Sequence, residues 1–214
     1  MKLVILDAGD SFELDGFNKL LLKNPASNKT IVEEYEKTYN IKDINIVVGY
    51  NAIAIMNQFP KYKYLYNSKW QITNNSYSLS LALDNEACIV TSSDFFIKKS
   101  LVKKLAIHEN CIVIKDSENK TLKSLNVSIK EEIVSSIYYG KSAGIDFEMM
   151  GIFKISDTKL LKQWKKNCIL NPNKYAGENL PLSNKIKIVK AVKDEIIEIN
   201  STQDYINFIS DKYR

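Results

Sequence analysis

The chain has 214 residues, of which 30 are lysine or arginine and 25 are aspartate or glutamate, which gives a formal net charge of +5. A mild charge spread along the whole chain argues against a nucleic-acid-binding protein, and the absence of a long apolar run argues against a membrane protein. Three scattered cysteines and one histidine do not form a zinc or disulfide pattern, so we expect a soluble, cytoplasmic protein that folds as one domain, residues 1–214.

The first nineteen residues combine a short apolar strand with a glycine-containing loop. Residues 3–6 are all apolar and suit a strand buried on both faces, and Gly9 interrupts the pattern directly afterwards. A loop of this kind turns backbone N–H groups towards a ligand, and Lys19 follows at its end. The motif therefore predicts a phosphate site, although many α/β domains begin this way and bind nothing there.

The next sixty residues alternate between helix and strand. A helix with apolar positions at Ile31, Val32, Tyr35 and Tyr39 is capped by Asn28 or Thr30. Strand 44–48, helix 51–58 and strand 62–66 follow. This β-α-β-α-β order predicts a parallel sheet with right-handed crossovers.

Two polar segments follow these strands. Asn74 and Asn75 stand where a helix begins near Ser76, so that they either cap the helix or bind a ligand. Strand 88–90 leads to Asp94, which lies just past the carboxyl end of a central strand, where open α/β sheets bind ligands. Asp94 is the best candidate for a metal ligand, and the alternative is that it caps a helix starting at Phe95.

From residue 111 onwards, strands with short turns predominate. Segments 111–115, 122–130, 131–140 and 147–155 predict antiparallel or mixed strands added to the sheet, as a lobe for a second substrate. We expect a helix capped by Ser156, an exposed loop at 171–182, strands at 186–192 and 196–199, and a last helix at 202–210 capped by Asn200 and Ser201.

Six motifs together resemble a known family in their order and spacing: LDAGDSF, GFNK, INIVVGY, NNSYSLSLAL, VTSSD and EINSTQDY. They resemble the nucleotidyltransferases that activate sugar phosphates and phosphocholine, and most of all the bacterial CTP:phosphocholine cytidylyltransferases. The resemblance implies a Rossmann-like, GT-A-like α/β fold of three layers, with a mainly parallel central sheet and added antiparallel strands. It also implies a reaction in which a small phosphomonoester or phosphonate receives CMP from CTP and pyrophosphate is released.

The resemblance also implies which residues form the site. Residues 1–110 would form the nucleotide-binding half and residues 111–214 the acceptor-binding half, with Lys19 and Asp94 as catalytic residues and Asp94 and Asn200 as ligands of Mg²⁺. The implied nucleotide-binding residues are Leu6, Asp7, Ala8, Gly9, Asp10, Ser11, Lys19, Gly49, Tyr50, Asn74, Asn75, Ser78 and Ser93. The implied acceptor-binding residues are Tyr139, Gly151, Tyr175 and Glu178. Six aromatic residues could include a cage for a cationic acceptor, and the alternative is that most of them belong to the core or to a sheet face: Trp70, Tyr138, Tyr139, Phe147, Phe153 and Tyr175.

Several positions depart from the family pattern. Ser11 and Glu13 stand where such enzymes have a glycine and an arginine, Asp7 replaces a small residue, and Asn18 replaces a proline. Ser92 and Asn200 replace acids of the metal site, and the lysines that could compensate for the missing arginine are Lys2, Lys23 and Lys29.

These departures leave a second hypothesis open, that of a catalytically degenerate nucleotide-binding or regulatory protein with the same fold. A glycosyltransferase is disfavoured because Ser92 and Asp94 match its acid pair poorly, and an NAD-dependent dehydrogenase because the first loop lacks GxGxxG. The sequence is compatible with a homodimer but does not determine the oligomeric state.

Overall fold

The computed structural model describes residues 1–116, 124–140 and 147–210. It is a mixed α/β structure with a central sheet of nine strands. The strands are β1 Lys2–Asp7, β2 Lys23–Asn24, β3 Lys29–Thr30, β4 Ile44–Val48, β5 Lys63–Tyr66, β6 Cys88–Ser92, β7 Phe95–Ile97, β8 Cys111–Lys115, β9 Leu125–Lys130, β10 Ile133–Tyr139, β11 Phe147–Ile155, β12 Lys187–Lys190 and β13 Ile196–Glu198. The helices are α1 Ile31–Tyr39, α2 Ala52–Gln58, α3 Asn75–Ala82, α4 Lys99–Ala106, α5 Thr158–Leu170 and α6 Thr202–Ser210. Three short 3-10 helices span Phe12–Leu14, Lys19–Leu21 and Ala176–Asn179.

The central sheet has the order β5-β4-β1-β6-β11-β8-β12-β10-β9. Strands β5, β4, β1 and β6 are mutually parallel, as the β-α-β-α-β pattern predicted. Strand β11 is antiparallel to both β6 and β8, and β10 is antiparallel to both β12 and β9. The mainly parallel sheet with added antiparallel strands is therefore present, and the carboxyl ends of β1, β4, β5 and β6 share one edge.

Side chains that alternate along β1 contribute to two separate cores. Leu3 and Ile5 pack on the face covered by α1, α2, α4 and α6, whereas Val4 and Leu6 pack on the face covered by α3 and α5. Because β1 is buried on both faces, all four residues are apolar, which is why this run was predicted as a central strand. The result is a three-layer arrangement of helices, sheet and helices.

Three expectations about the elements are wrong. Residues 95–97 do not begin a helix but form β7, which pairs antiparallel with β13, so Asp94 is not a helix cap. Helix α5 is capped by Asp157 rather than Ser156, because the Asp157 side chain accepts hydrogen bonds from the N–H groups of Lys159 and Leu160. Residues 122–123 of the predicted strand 122–130 lie outside the described residues.

Segment 171–182 is the third error, because it is exposed only at residues 173–175 and 182 and not along its whole length. It contains the 3-10 helix Ala176–Asn179, in which Ala176 and Asn179 are buried, and Leu180 is buried directly after it. Apolar side chains pack this segment between α3, α5 and the sheet, and the Trp164 indole N–H donates to the Ala176 carbonyl over 2.8 Å.

Side-chain hydrogen bonds identify the capping residues of two helices, α1 and α6. Thr30, and not Asn28, caps α1 through a capping box with Glu33. Ser201 caps α6, because its hydroxyl exchanges hydrogen bonds with Asp204 three residues later. Among the described residues, no helix is both long enough and apolar enough to cross a membrane.

Candidate active site

A cavity of about 350 Å³ lies at the carboxyl ends of β1, β5 and β6. Three segments form its wall, namely the loop after β1, the turn between β5 and α3, and the end of β6. The lining residues are Leu6, Asp7, Ala8, Gly9, Asp10, Ser11, Lys19, Asn67, Trp70, Thr73, Asn74, Asn75, Ser78, Ser92, Ser93, Asp94 and Tyr175. Of the residues that the resemblance assigned to the nucleotide, only Gly49 and Tyr50 are missing from this wall.

Lys19 and Asp94 meet in this cavity. The Lys19 Nζ lies 2.6 Å from the Asp94 Oδ1, and both side chains remain partly accessible. Lys19 begins a short 3-10 helix that Asn18 caps, since the Asn18 side-chain Oδ1 accepts from the Leu20 N–H. Asn18 therefore helps to place the lysine.

Asp7 is a buried carboxyl group at the base of the same cavity. Its Oδ2 accepts a hydrogen bond of 2.7 Å from the Asn18 amide. Burial raises the pKa of Asp7 to about 7, and the negative charge of Asp94 adds to the increase, while hydrogen bonds from Asn18 and Ser93 and the charge of Lys19 oppose it. A carboxyl group with this pKa exchanges a proton near neutral pH.

Gly49 and Tyr50 support the first loop from behind. A side chain at Gly49 would place its Cβ 2.5 Å from the Ala8 carbonyl oxygen and 2.7 Å from the Trp70 Cβ, so only glycine fits between them. The Tyr50 N–H donates to the same Ala8 oxygen over 3.0 Å. Their contribution to the cavity is to hold the loop in place.

Asn74, Asn75 and Ser78 all line the cavity at the start of α3. The Asn74 side chain accepts from the Asn75 N–H, so capping and a place in the cavity are combined in one residue. The Asn75 Oδ1 accepts from the Ala176 N–H over 2.6 Å and thereby ties α3 to segment 171–182. The Ser78 hydroxyl accepts from the Asn67 amide over 3.0 Å.

Besides Asp94 and Tyr175, which the resemblance assigned to other roles, four lining residues were not assigned to the nucleotide from the sequence: Asn67, Trp70, Thr73 and Ser92. Asn67 directly follows β5, so its position after a parallel strand was a usable signal. Trp70 was expected among the candidates for the acceptor cage, and that placement is wrong, because it lines this first cavity and not the second one.

A second cavity of about 200 Å³ adjoins the first. Five residues line both cavities: Leu6, Asn75, Ser92, Asp94 and Tyr175. The proposed acceptor residues Tyr139, Gly151 and Tyr175 line the second cavity, as does Phe153. Glu178 does not line it, but accepts hydrogen bonds from the Tyr139 hydroxyl and the Tyr175 N–H. Tyr138 and Phe147 are not among its lining residues.

The second cavity is acidic and partly aromatic. Asp94, Glu148 and Glu198 line it, and the rings of Tyr139 and Tyr175 lie 5.8 Å apart at its edge. No lysine or arginine among the described residues lines it. Lys115 pairs with Glu148 and Glu198 from outside the cavity wall, at 3.4 and 3.1 Å.

Four residues considered for metal binding or for phosphate charge line neither cavity. Asn200 is exposed after β13 and lines neither cavity, whereas Glu198 of the same segment does line the second cavity. Lys2 cannot replace the missing arginine, because it is buried at the other end of β1 and bonds to the Ala82 carbonyl and Asp84. Lys23 and Lys29 line neither cavity.

Solved structures with the same fold come from several nucleotidyltransferases. The CTP:phosphocholine cytidylyltransferase from Streptococcus pneumoniae matches with a TM-score of 0.75 and 20% identity, over 100% of this chain and 99% of that one. The inositol-1-phosphate CTP transferase from T. maritima matches with a TM-score of 0.73 and 14% identity, over 99% and 96% of the two chains. HddC from Yersinia pseudotuberculosis matches with a TM-score of 0.68 and 16% identity, over 100% and 99%.

No protein-family model matches the chain, and no curated protein matches it. Because the structural matches cover nearly the whole of both chains, the nucleotidyltransferase fold extends over the full length of this protein. The resemblance noted in the sequence is therefore confirmed at the level of the fold.

Proposed function

We propose that this protein is a cytidylyltransferase of the Rossmann-like, GT-A-like class, which transfers CMP from CTP to a small phosphorylated acceptor and releases pyrophosphate. The observation that carries the proposal is the meeting of the two cavities at Asp94, with Lys19 bonded to it at 2.6 Å. A transfer reaction requires two substrates to reach one point, and that point should carry groups that balance phosphate charge.

The reaction is an in-line displacement at the α-phosphorus of CTP. An oxygen of the acceptor phosphate forms the new P–O bond, the bond to the β-phosphate oxygen breaks, and that oxygen leaves with the electron pair as pyrophosphate. A phosphate oxygen is already a competent nucleophile, so no general base is required and catalysis consists of alignment and charge stabilisation. Lys19 would donate to phosphate oxygens after leaving Asp94, and the loop at residues 8–11 would face the triphosphate.

The donor set near Asp94 fits a magnesium ion. No group of three or more histidine, cysteine, aspartate or glutamate side chains among the described residues could hold a metal by itself. Mg²⁺ usually takes one or two carboxylates together with waters and substrate phosphates, so Asp94 is a sufficient protein ligand. When bound, the ion would neutralise charge on the phosphates. The additional role of Asn200 stays a prediction.

The charge of the second cavity favours an acceptor that carries a positive group besides its phosphate. Lys19 pairs with Asp94, and Lys115 pairs with both Glu148 and Glu198, so the carboxylates exceed the lysines by one charge. This remaining negative charge favours an acceptor with an ammonium group over a purely anionic sugar or polyol phosphate. The tilted rings of Tyr139 and Tyr175 offer cation–π contact at the edge of the cavity. An amino-alcohol phosphate such as phosphocholine therefore fits better than a sugar phosphate.

Pyrophosphate release tests the proposal. The protein is incubated with Mg²⁺ and each nucleoside triphosphate, in the presence of phosphocholine, phosphoethanolamine, a polyol phosphate or a sugar phosphate. We expect the highest rate with CTP and an amino-alcohol phosphate. Asp94→Asn should lower kcat at least about 100-fold, as loss of one preorganised electrostatic group does elsewhere, whereas Asp43→Asn, remote from both cavities, should not. The absence of pyrophosphate with every pair would refute the transferase.

A nucleotide-binding protein without catalysis is the second candidate. It is favoured by one observation, that Lys19 is the single basic side chain among the described residues that lines either cavity. In that case calorimetry would still detect CTP binding, but no pyrophosphate would form from CTP with any acceptor. Asp94→Asn would change the dissociation constant for CTP little.

A further inference from the structure

If the first cavity takes a nucleoside triphosphate, as proposed above, the two cavities define the axis along which it lies. Asn75, Ser92 and Asp94 line both cavities and mark the point of transfer, where the α-phosphate belongs. The loop at residues 9–11 and Lys19 line only the first cavity and suit the pyrophosphate portion. Asn67, Trp70 and Thr73 also line only the first cavity, on the segment between β5 and α3, which leaves this region for the nucleoside.

Trp70 is held rigidly in this region. Its Cβ and Cγ pack against the backbone of Gly49, and the Tyr50 ring meets its indole nearly edge-on, with centroids 5.4 Å apart. The turn that carries it is also fixed, because the Asn67 N–H donates to the Val48 carbonyl and the Asn67 Oδ1 accepts from the Lys69 N–H. A ring held in this way loses little entropy when a ligand packs on it.

Trp70 differs from Trp164, the other tryptophan of the chain. Trp164 is completely buried and its indole N–H bonds to the Ala176 carbonyl. Trp70 is only half-buried, lines a cavity whose other walls are mostly polar, and has no hydrogen-bond partner for its indole N–H among the described residues. It therefore presents a flat apolar surface and a free donor to whatever enters the cavity.

We propose that Trp70 is the platform on which the nucleobase of the substrate packs, so that it determines affinity for the nucleoside portion and not for the phosphates. This inference rests on the proposed function, since it assumes that the first cavity takes a nucleoside triphosphate. Aromatic rings contribute to base binding through stacking, and truncation of such a ring typically weakens binding by about ten- to a hundredfold.

The test compares two substitutions that treat the ring differently. Trp70→Leu keeps the Cβ and Cγ that pack on Gly49 but removes the stacking surface, whereas Trp70→Phe keeps an aromatic face. We expect Trp70→Leu to raise the dissociation constant for CTP by about ten- to a hundredfold and to leave that for inorganic tripolyphosphate unchanged. Trp70→Phe should bind CTP nearly as the unaltered protein does. Tyr66→Ala, which removes an exposed aromatic side chain outside both cavities, is the matched control and should not change either constant.

Tryptophan fluorescence gives an independent readout. CTP should change the emission of the unaltered protein in a saturable manner, and the change should be lost in Trp70→Phe although calorimetry still detects binding, because the remaining Trp164 is fully buried. The inference is overturned if Trp70→Leu binds CTP normally, or if it loses CTP and tripolyphosphate equally. If the unaltered protein binds no nucleoside triphosphate at all, the proposed function and this inference fail together, whereas normal CTP binding by Trp70→Leu refutes the inference alone.

Discussion

At the scale of single residues, Asp7 is the clearest departure from the family pattern. The resembling enzymes have a small residue here, and this chain has a carboxyl group that is 7% exposed beneath the cavity. Burial raises its pKa to about 7, well above the ordinary value of 3.8. The folded protein therefore binds a proton at Asp7 over a pH range in which the unfolded chain has already released it.

This proton linkage predicts how Asp7→Asn changes stability. Between about pH 4 and pH 7 the folded state binds more protons at Asp7 than the unfolded state, so the stability of the unaltered protein falls as the pH rises through this range. Asparagine can still accept from Asn18 but does not ionise. The effect of Asp7→Asn on the free energy of unfolding should therefore be more favourable at pH 8 than at pH 4, by on the order of 1–3 kcal/mol.

Urea unfolding of both proteins at pH 4, 6 and 8 measures this difference. Asp43→Asn is the control, because the pKa of Asp43 is shifted in the opposite direction, downwards, by a hydrogen bond from Lys63. Removing this carboxylate should not stabilise the protein at pH 8. Parallel pH curves for Asp7→Asn and the unaltered protein would show that Asp7 does not titrate in this range.

The residues of the site were predictable where they follow a parallel strand. Gly9 and Asp94 stand at the carboxyl ends of β1 and β6, and the pattern of strands and loops places such residues at one edge of the sheet. Trp70 was misplaced because its position depends on close packing with Gly49, which periodicity does not reveal. Asp7 could be placed at the end of the first strand, but its contacts with Asn18 and Ser93 form only in the folded chain.

At the scale of elements, the secondary structure was predicted wrongly where a strand pairs with a partner far away in the sequence. Phe95, Phe96 and Ile97 form an apolar triplet without the length to distinguish a strand from a helix, and their partner β13 lies about one hundred residues later in the chain. Segment 171–182 contains glycine and two prolines, which are typical of exposed loops. Its burial comes from Ala176 and Leu180, which pack into the core, and from hydrogen bonds to distant groups, as between the Ala176 N–H and the Asn75 side chain.

The 3-10 helix Ala176–Asn179 connects the second cavity, which we propose for the acceptor, to α3. The Asn179 amide donates to the Ser76 hydroxyl over 2.5 Å and to the Asn171 carbonyl over 3.2 Å, and Asn179 is 5% exposed. Asn179→Ala should lower the free energy of unfolding by about 1–3 kcal/mol, because the buried partners lose their donor. It should also raise KM for the acceptor several-fold, because Tyr175 and Glu178 lie on this segment, while the dissociation constant for CTP stays within about twofold.

Denaturant unfolding and steady-state kinetics with a varied acceptor measure the two effects. Asn207→Ala on α6 is the control, since it removes an exposed side chain of the same type whose one bond within the described part of the chain is to Gln203. Loss of nucleotide and acceptor affinity in equal measure would mean that Asn179 supports the whole site, and not the acceptor cavity in particular.

At the scale of the whole molecule, the two halves of the sequence are interleaved. Strand β11 from the second half lies between β6 of the first half and β8, and β13 pairs with β7. The cavities also take residues from both halves, with Tyr175 lining the first one beside the β1 loop. Both core clusters take residues from 1–110 and from 111–214, and the single domain stays a prediction.

A single domain should unfold in one cooperative transition, and the two tryptophans allow each half to be observed. Trp70→Phe leaves Trp164 as a probe of the second half, and its thermal transition should coincide with that of backbone circular dichroism, which reports on both halves. CTP at about 100 times its dissociation constant should stabilise the folded state by about 2.7 kcal/mol and shift both probes together. If CTP delayed only the circular dichroism signal, or if the Trp164 transition occurred at a separate temperature, the chain would contain two units of independent stability. A coincident shift would instead mean that nucleotide bound beside β1 stabilises strands as distant in sequence as β11 and β13, through the sheet that joins them.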